Sequence, residues 1–490
     1  MPGKRIAVIG AGVSGLGAIK ICLEEGLEPT CFEGTNDIGG LWRYQVNSKE
    51  YIHPDYYKSA TSNTSKEMTT YRDYPSPDRF PNYLHNSRIM EYLRMYAQHF
   101  DLTKHIRFLV HSVRKRSDFS CTDVLVETTG KQESYVFDGI MVCSGLHTEP
   151  ILPLQNFPGI NRFKGQYTHS CEYRSPEKFQ GKKIIVVGIG NSGADLAIEL
   201  SHVASQVYLS TRRGTILNKF YPTFLINRWA ENKLNARFNH DVYGLLPKHR
   251  LLSHQATCGD DLPNHIISGR VLIKSDVREF TETSAIFGDG TEEDLDVVIF
   301  ATGYTFSFPF LENNATVLDS QHSMFKFVFP PQLEKPTLAF IGILQPVGAT
   351  IPTSELQSRW AMRVFKGMRI AKVFCCKTYV KLTFTVSEIY MDEIVSEIGA
   401  KPNLPSIFLW DPKLAIEIFF GPCTPYQYRL QGPGKWAGAR RAILIRRERI
   451  IKPLRTRTLI CDQPPSSVPF WLKSACAALL FVLTLVIIKG

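Results

Sequence analysis

The chain has 490 residues, 44% hydrophobic and 21% charged, with a formal net charge of +11. That length exceeds one ordinary domain, and the composition excludes a disordered or fibrous chain. The positive charge does not imply nucleic acid, because much of it lies in "ARRAILIRRERIIKPLRTRT" near the C-terminus, with neither an aromatic platform nor a reading helix beside it. The 11 cysteines show no CxxC spacing, which argues for reduced thiols and against a redox disulfide or a zinc site.

"KRIAVIGAGVSGL", starting at Lys4, reads as strand, glycine turn and helix, with Gly10, Gly12 and Gly15 in GxGxxG spacing. The first glycine makes the tight turn, the second lets backbone approach a pyrophosphate, and the third allows close helix–strand packing. The phosphates then rest on the amides and positive dipole at the helix start. A second strand, "EPTCFE", ends in Glu33, 23 positions after Gly10, where an acid accepts hydrogen bonds from adenosine ribose hydroxyls. The three glycines also interrupt the N-terminal apolar run, so it does not read as a secretory signal.

The pattern returns in "KKIIVVGIGNSGADLAIELS" with Gly188, Gly190 and Gly193. Here the position 23 residues after the first glycine is Thr211, followed by Arg212 and Arg213. A carboxylate there would repel a ribose 2′-phosphate, whereas arginine binds it through charge-assisted bonds. The second cradle is therefore expected to prefer NADPH over NADH. The first, with its acid, suits an unphosphorylated ribose such as that of FAD.

A third repetition links "FDGIMVCSG" (137–145) to "LDVVIFATG" (295–303), each an Asp, an apolar strand and a Gly seven positions after the Asp. Continuous apolar strands suit doubly covered central sheet positions. The predicted fold is α/β, with two Rossmann-like dinucleotide-binding domains and the NADPH domain inserted in the FAD domain. The expected boundaries are 1–154 for the first FAD part, 155–300 for NADPH, and 301–460 for the second FAD part with its basic membrane-proximal segment.

A linker at 461–469 then leads to a C-terminal membrane helix at 470–490. Its uncharged run of about 15 residues spans roughly 22 Å of helix. With residues 470–473 it reaches about 28 Å, close to the ~27 Å hydrocarbon of an endoplasmic reticulum bilayer. Trp471 and Lys473 suit the interface. The basic block before it is expected to face anionic lipid.

With these features in hand, the sequence resembles the flavin-containing monooxygenases, in particular the vertebrate microsomal dimethylaniline (N-oxide-forming) type. The resemblance covers nearly the whole chain. It includes "FKGQYTHSCEY", which fits FxGxxxHxxx(Y/F) through Phe163, Gly165, His169 and Tyr173, and also "DIGGLW", "SNTSKEM", "FATGY" and "FGPCTPYQYRLQGPGKW". It implies FAD on Gly10, Ala11, Gly12, Val13 and Ser14, with Glu33, Leu41, Trp42, Asn63 and Thr64. It implies NADP contacts at Ser62, Asn63, Ser192, Gly193, Ala194 and Asp195. The resemblance further implies hydride transfer from NADPH to FAD, a C4a-hydroperoxyflavin formed with O2, and oxygen transfer to a soft nitrogen or sulfur of a small lipophilic xenobiotic. Asn63 is the residue expected to act at the reacting centre. Location in the endoplasmic reticulum membrane with catalytic domains facing the cytosol is implied too; homo-oligomerisation is left open.

Plainer readings stand beside these. "GGLW" also reads as a turn leading into core residues, and Asn63 as a turn former. His169 is expected to link the two nucleotide domains, not to act as a general base. Gly303 in "FATGY" is expected to let the chain pass close to a cofactor. The runner-up activity is Baeyer–Villiger oxidation of aliphatic ketones, because "PKHRLLSH…DDLPNHIISG" is similar to the vertebrate branch associated with it. An inactive membrane-bound paralogue is a third reading, since the chain runs short of the family near 214–240 and 368–392.

Overall fold

The computed structural model describes residues 3–44, 57–110, 112–115, 122–128, 131–212, 234–246, 257, 259, 261–305, 308, 324–330, 335–367 and 385–456. Arg213, most of 214–240 and of 368–392, the linker and the anchor at 470–490 lie outside the described residues.

The chain builds a first sheet from β1 (Arg5–Ile9), β2 (Glu28–Phe32), β3 (Ile106–Arg107) and β4 (Gly139–Val142). Helix α1 (Val13–Glu24) follows β1, and α2 (Asn86–His99) precedes β3. A second sheet comprises β5 (Gln166–His169), β6 (Lys183–Val187), β7 (Gln206–Ser210), β8 (Val271–Lys274) and β9 (Val297–Phe300), with α3 (Asn191–Leu200) after β6. The chain then returns to the first sheet as β10 (Leu338–Phe340).

The strand orders are β10-β4-β1-β2-β3 and β8-β7-β6-β9-β5. Within each sheet every neighbouring pair is parallel. The central triplets β2-β1-β4 and β7-β6-β9 are copies of one plan. Only the fifth strand differs: β5 precedes its own triplet in the chain, whereas β10 arrives after the second sheet is complete.

Both sheets are covered on both faces, which explains the unbroken apolar strands "RIAVI" and "KIIVV". Side chains alternate between faces. Ile6 and Val8 enter one core while Ala7 and Ile9 enter another; Ile184 and Val186 part from Ile185 and Val187 in the same way.

The repeated Asp has a specific task. Asp138 accepts the amide of Arg5 at 2.7 Å, and Asp296 accepts that of Lys183 at 2.8 Å. Each carboxylate thus satisfies the leading N–H of the central strand beside it, a group the parallel ladder leaves open. Three-stranded antiparallel ribbons, spanning 112–137 and 277–294, precede β4 and β9. The sequence reading did not anticipate them.

Helix α4 (Thr350–Phe365) lies along α1 and carries a buried ionic seam. Glu355 accepts from Arg72 at 3.2 Å and from Arg429 at 2.7 Å, and all three are essentially inaccessible to solvent. Arg429 also reaches Asp73 at 2.8 Å, and Lys20 of α1 bonds both Asp73 and Glu24. Removing one member leaves a buried charge uncompensated, which costs far more than a surface pair.

The last described helix, α5 (Ala439–Ile451), corrects one expectation. The basic block does not simply face outward. Arg446 is buried and donates to Pro422 O at 3.1 Å and to the Glu417 carboxylate at 2.8 Å. Arg449 grips Glu67 at 2.9 Å and Asp78 at 2.5 Å, while Arg440 pairs with Asp411. Arg441, Arg447 and Arg455 stay exposed. Among the described residues no helix is long and apolar enough to cross a membrane.

Candidate functional site

The first cradle stands where β1 ends between β2 and β4, the crevice in which open α/β sheets take ligands. The Gly10 amide donates to Phe32 O at 2.8 Å, and the first bond of α1 runs from Leu16 to Gly12 at 3.0 Å. Among the described residues no side chain caps that helix start. The amides of Val13, Ser14 and Gly15 are therefore left for a partner from outside the helix. A Cβ at Gly15 would lie 1.8 Å from Gly10 O, so strand, turn and helix close only with glycine there.

Glu33 is held by the turn it serves. Ala11 N–H donates to one carboxylate oxygen at 2.6 Å, and Thr35 donates to the other from its amide at 3.0 Å and its hydroxyl at 2.7 Å. A carboxylate offers about four lone-pair directions, so room remains for a ribose hydroxyl. The turn carrying Leu41 and Trp42 is tied down as well, since Gly39 N–H donates to Ala11 O at 3.0 Å. Trp42 is half-buried against the first core. At the end of β4 the buried Ser144 hydroxyl has no hydrogen-bond partner among the described residues. An orphaned polar atom beside an uncapped helix start fits a polar, anionic ligand such as a dinucleotide.

The second cradle repeats this geometry. Gly188 N–H donates to Ser210 O at 3.0 Å, and α3 opens at Gly190 without a side-chain cap. A Cβ at Gly193 would lie 1.9 Å from Gly188 O, while one at Gly190 would meet no atom of the described residues within 4 Å. Ser192 is half-buried and Ala194 buried in the first turn of α3. Just past β7, Thr211 stands at the place matching Glu33 after β2, and Arg212 beside it is exposed; Arg213 is beyond the described residues.

Asp195 behaves differently from its neighbours. Its carboxylate accepts from the Tyr57 hydroxyl. Burial pushes its pKa up to about 6, despite that bond, with Glu199 and Asp261 adding repulsion. One turn further along α3, Glu199 accepts from the Ser59 hydroxyl at 2.6 Å.

Asn63 is exposed between the buried Ser62 and Thr64. The Ser62 hydroxyl accepts from Leu84 N–H at 2.8 Å and donates to Thr64 O at 3.0 Å, so it shapes the loop. Thr64 and Thr69 share a hydroxyl–hydroxyl bond. Lys66 is buried and donates to Asp78 O at 3.0 Å and Phe80 O at 2.7 Å, and burial lowers its pKa. Glu67 takes Arg449 of α5. Within "SNTSKEM", then, Asn63 is exposed while Ser62, Thr64, Lys66 and Glu67 fasten the loop.

His169 ends β5 at the junction between the sheets. Its Nδ1 accepts from Cys171 N–H at 3.1 Å, and Nε2 donates to Gly303 O at 3.1 Å, which also takes Ile151 N–H at 3.0 Å. That pattern assigns a neutral ring. Burial lowers its pKa further. The ring joins two chain segments and has no free nitrogen for proton transfer.

Sequence reasoning missed Tyr57, Ser59, Glu199, Lys66 and Glu67. Tyr57 and Ser59 meet partners 138 and 140 positions away, and Glu67 meets Arg449 across 382 positions. No local pattern signals such pairs.

The chain matches the family model described as flavin-binding monooxygenase-like over residues 3–220 and 214–489. The two stretches meet at 214–220, where the chain was expected to run short. It is 54% identical to flavin-containing monooxygenase 5 of Oryctolagus cuniculus, covering 93% of this chain and 94% of that protein. It is 48% identical to dimethylaniline monooxygenase (N-oxide-forming) 2 of Mus musculus, over 93% and 94% respectively. The crystal structure of OTEMO complexed with FAD and NADP superposes with a TM-score of 0.57 at 14% identity, covering 81% of this chain and 90% of that one. At that identity the likeness is one of fold.

Proposed function

Because the chain belongs to the flavin-binding monooxygenase-like family, we propose that it oxygenates soft nucleophilic nitrogen and sulfur atoms of small lipophilic xenobiotics, using NADPH and O2. It is an oxidoreductase, a flavin-containing monooxygenase, with FAD and NADPH as cofactors. One observation carries the assignment of each cofactor to its cradle: two matching uncapped helix starts end in opposite charges, Glu33 in one and Arg212 in the other.

FAD rests on the turn from Gly10 to Gly15, with Glu33 on its adenosine ribose and Leu41 and Trp42 beside it. NADPH rests on Gly188, Gly190, Ser192, Gly193 and Ala194, with Arg212 and Arg213 on its 2′-phosphate. Bound flavin supplies both hydride acceptance and oxygen activation. The protein positions the nicotinamide, keeps water out and offers the exposed Asn63 amide as a hydrogen-bonding group. Among the described cysteines, Cys22, Cys31 and Cys143 are buried, and burial raises their thiol pKa values, which keeps them protonated.

The C-terminal stretch at 470–490 serves as the membrane anchor in this reading, at the endoplasmic reticulum with the catalytic units in the cytosol. Its apolar length and its Trp471 and Lys473 flank support this. The exposed Arg441, Arg447 and Arg455 form the reduced lipid-facing set. Ketone oxidation with the same cofactors is the second reading, favoured by the similarity at 247–254 and 260–269. A coupled assay separates the two: NADPH and O2 consumption with an amine, a sulfide and an aliphatic ketone, with products identified by mass. An N- or S-oxide as main product supports the proposal, and an ester supports the alternative. No substrate-dependent consumption contradicts both.

A further inference from the structure

The segment 57–60 belongs to one sheet by sequence and to the other by packing. It precedes α2 in the chain, yet Tyr57 and Ala60 lie in the core formed by Ile184, Val186, Leu196 and Val297. Tyr57 meets Tyr173 edge-on at 6.2 Å. Its hydroxyl bonds Asp195, Ser59 bonds Glu199 at 2.6 Å, and Lys58 N–H donates to Arg174 O at 3.1 Å. Asp195 and Glu199 are four apart on α3 and so stand on one face. Three successive residues of the segment are thus fixed to the second unit.

The other side of the segment is fixed to the first unit. Asn86 N–H donates to Ala60 O at 2.9 Å, its side-chain amide reaches Tyr57 O and Lys58 O at 3.2 Å, and His85 Nε2 contacts Lys58 O at 2.9 Å. Asn63 follows Ala60 by three residues, hence by at most about 10 Å of chain. Its place is decided by what holds Tyr57–Ala60.

We propose that Tyr57 and Asp195 are a positioning pair, tying the Asn63 segment to α3 so that Asn63 and the dinucleotide of the second cradle keep one fixed separation. The proposal rests on the reading of Asn63 and NADPH given above. Asp195 then acts through Tyr57, and its carboxylate does not contact the cofactor. A carboxylate near the phosphate-binding end of α3 would oppose an anionic ligand if left unpaired, and the phenol gives it a partner.

The test uses the full-length, FAD-loaded protein in detergent, with Tyr57→Phe, Asp195→Ala and Asp195→Asn. Phe keeps the ring packing without the hydroxyl, and Asn keeps an acceptor without the charge. Amide hydrogen exchange of a peptide covering 57–64 should quicken about tenfold in Tyr57→Phe and Asp195→Ala, the loss expected for one hydrogen bond to a charged group. In Asp195→Asn it should stay at or below the wild-type rate.

During turnover, the hydrogen peroxide released per NADPH oxidised should rise several-fold in the first two variants and not in the third, at unchanged flavin content. Unchanged exchange in Tyr57→Phe overturns the tether. Faster exchange with an unchanged peroxide share overturns the positioning role. A general packing defect would instead lower flavin content in all three variants, and that too overturns it. Failure of the functional reading shows separately, as absence of NADPH-dependent oxygen uptake in the unsubstituted protein, while the exchange measurement still decides the tether.

Discussion

The Ala11 amide donates to the Glu33 carboxylate at 2.6 Å, so the glycine turn and the acid 22 positions later are one unit. Glu33→Gln keeps an acceptor for Ala11 but turns an amide toward the two donors of Thr35 and removes the charge offered to a ribose. FAD affinity should fall about tenfold, within the range for a hydrogen bond to a charged group. Flavin titration of the apoprotein checks this; an unchanged dissociation constant would mean that Glu33 serves the turn alone.

Gly193 and Gly15 give a paired test of which cradle holds which cofactor. A methyl group at Gly193 would sit 1.9 Å from Gly188 O, forcing the second turn open. Gly193→Ala should therefore weaken NADP⁺ binding by at least about tenfold while the purified protein remains yellow. Gly15→Ala, with the same clash against Gly10 O at 1.8 Å, should instead lose flavin. Flavin-to-protein ratio and NADP⁺ titration read the two effects apart.

Asn63 is exposed, and its neighbours Ser62 and Thr64 are committed to holding the loop. Asn63→Ala or Asn63→Asp should uncouple NADPH oxidation from product, raising the peroxide share without unfolding the chain. Product per NADPH is the measurement. An unchanged yield removes Asn63 from the reaction.

Asp195 predicts a pH signature with a definite sign. Its folded pKa of about 6 lies above the ordinary value of an unfolded aspartate. Its contribution to stability is therefore fully present below the unfolded value and is lost as pH rises through 6. Asp195→Asn, which cannot ionise, should gain on the wild type between pH 5 and pH 8, by on the order of 1–2 kcal/mol after allowing for partial exposure. Denaturation midpoints across that range check it, and a constant difference contradicts it.

The parts legible in the sequence were those with local spacing. Gly10, Gly12 and Gly15, their counterparts at 188, 190 and 193, and the paired motifs at 137–145 and 295–303 all describe contacts made within one strand–turn–helix or between adjacent parallel strands. Even there the task of Asp138 and Asp296 was hidden, because the amides they satisfy belong to Arg5 and Lys183, more than a hundred residues away.

Charge counts misled where direction mattered. Arg446 and Arg449 contribute to a basic run, but Glu417, Glu67 and Asp78 turn them inward. The Glu355–Arg72–Arg429 seam was equally invisible, since Arg72 and Glu355 are 283 positions apart. Tyr57 and Ser59 drew no notice because a Tyr and a Ser in a polar loop carry no pattern; only α3 gives them meaning.

The most direct measurement is anaerobic reduction of the bound flavin in the full-length protein, followed by its absorbance, with NADPH and NADH and with Arg212→Ala alongside. The account predicts that NADPH reduces the flavin at least about tenfold more efficiently than NADH, and that Arg212→Ala erases most of the difference by weakening NADPH alone, as loss of a charge-assisted phosphate contact should. Equal efficiency of the two nucleotides in the unsubstituted protein, or equal loss with both in the variant, would contradict it.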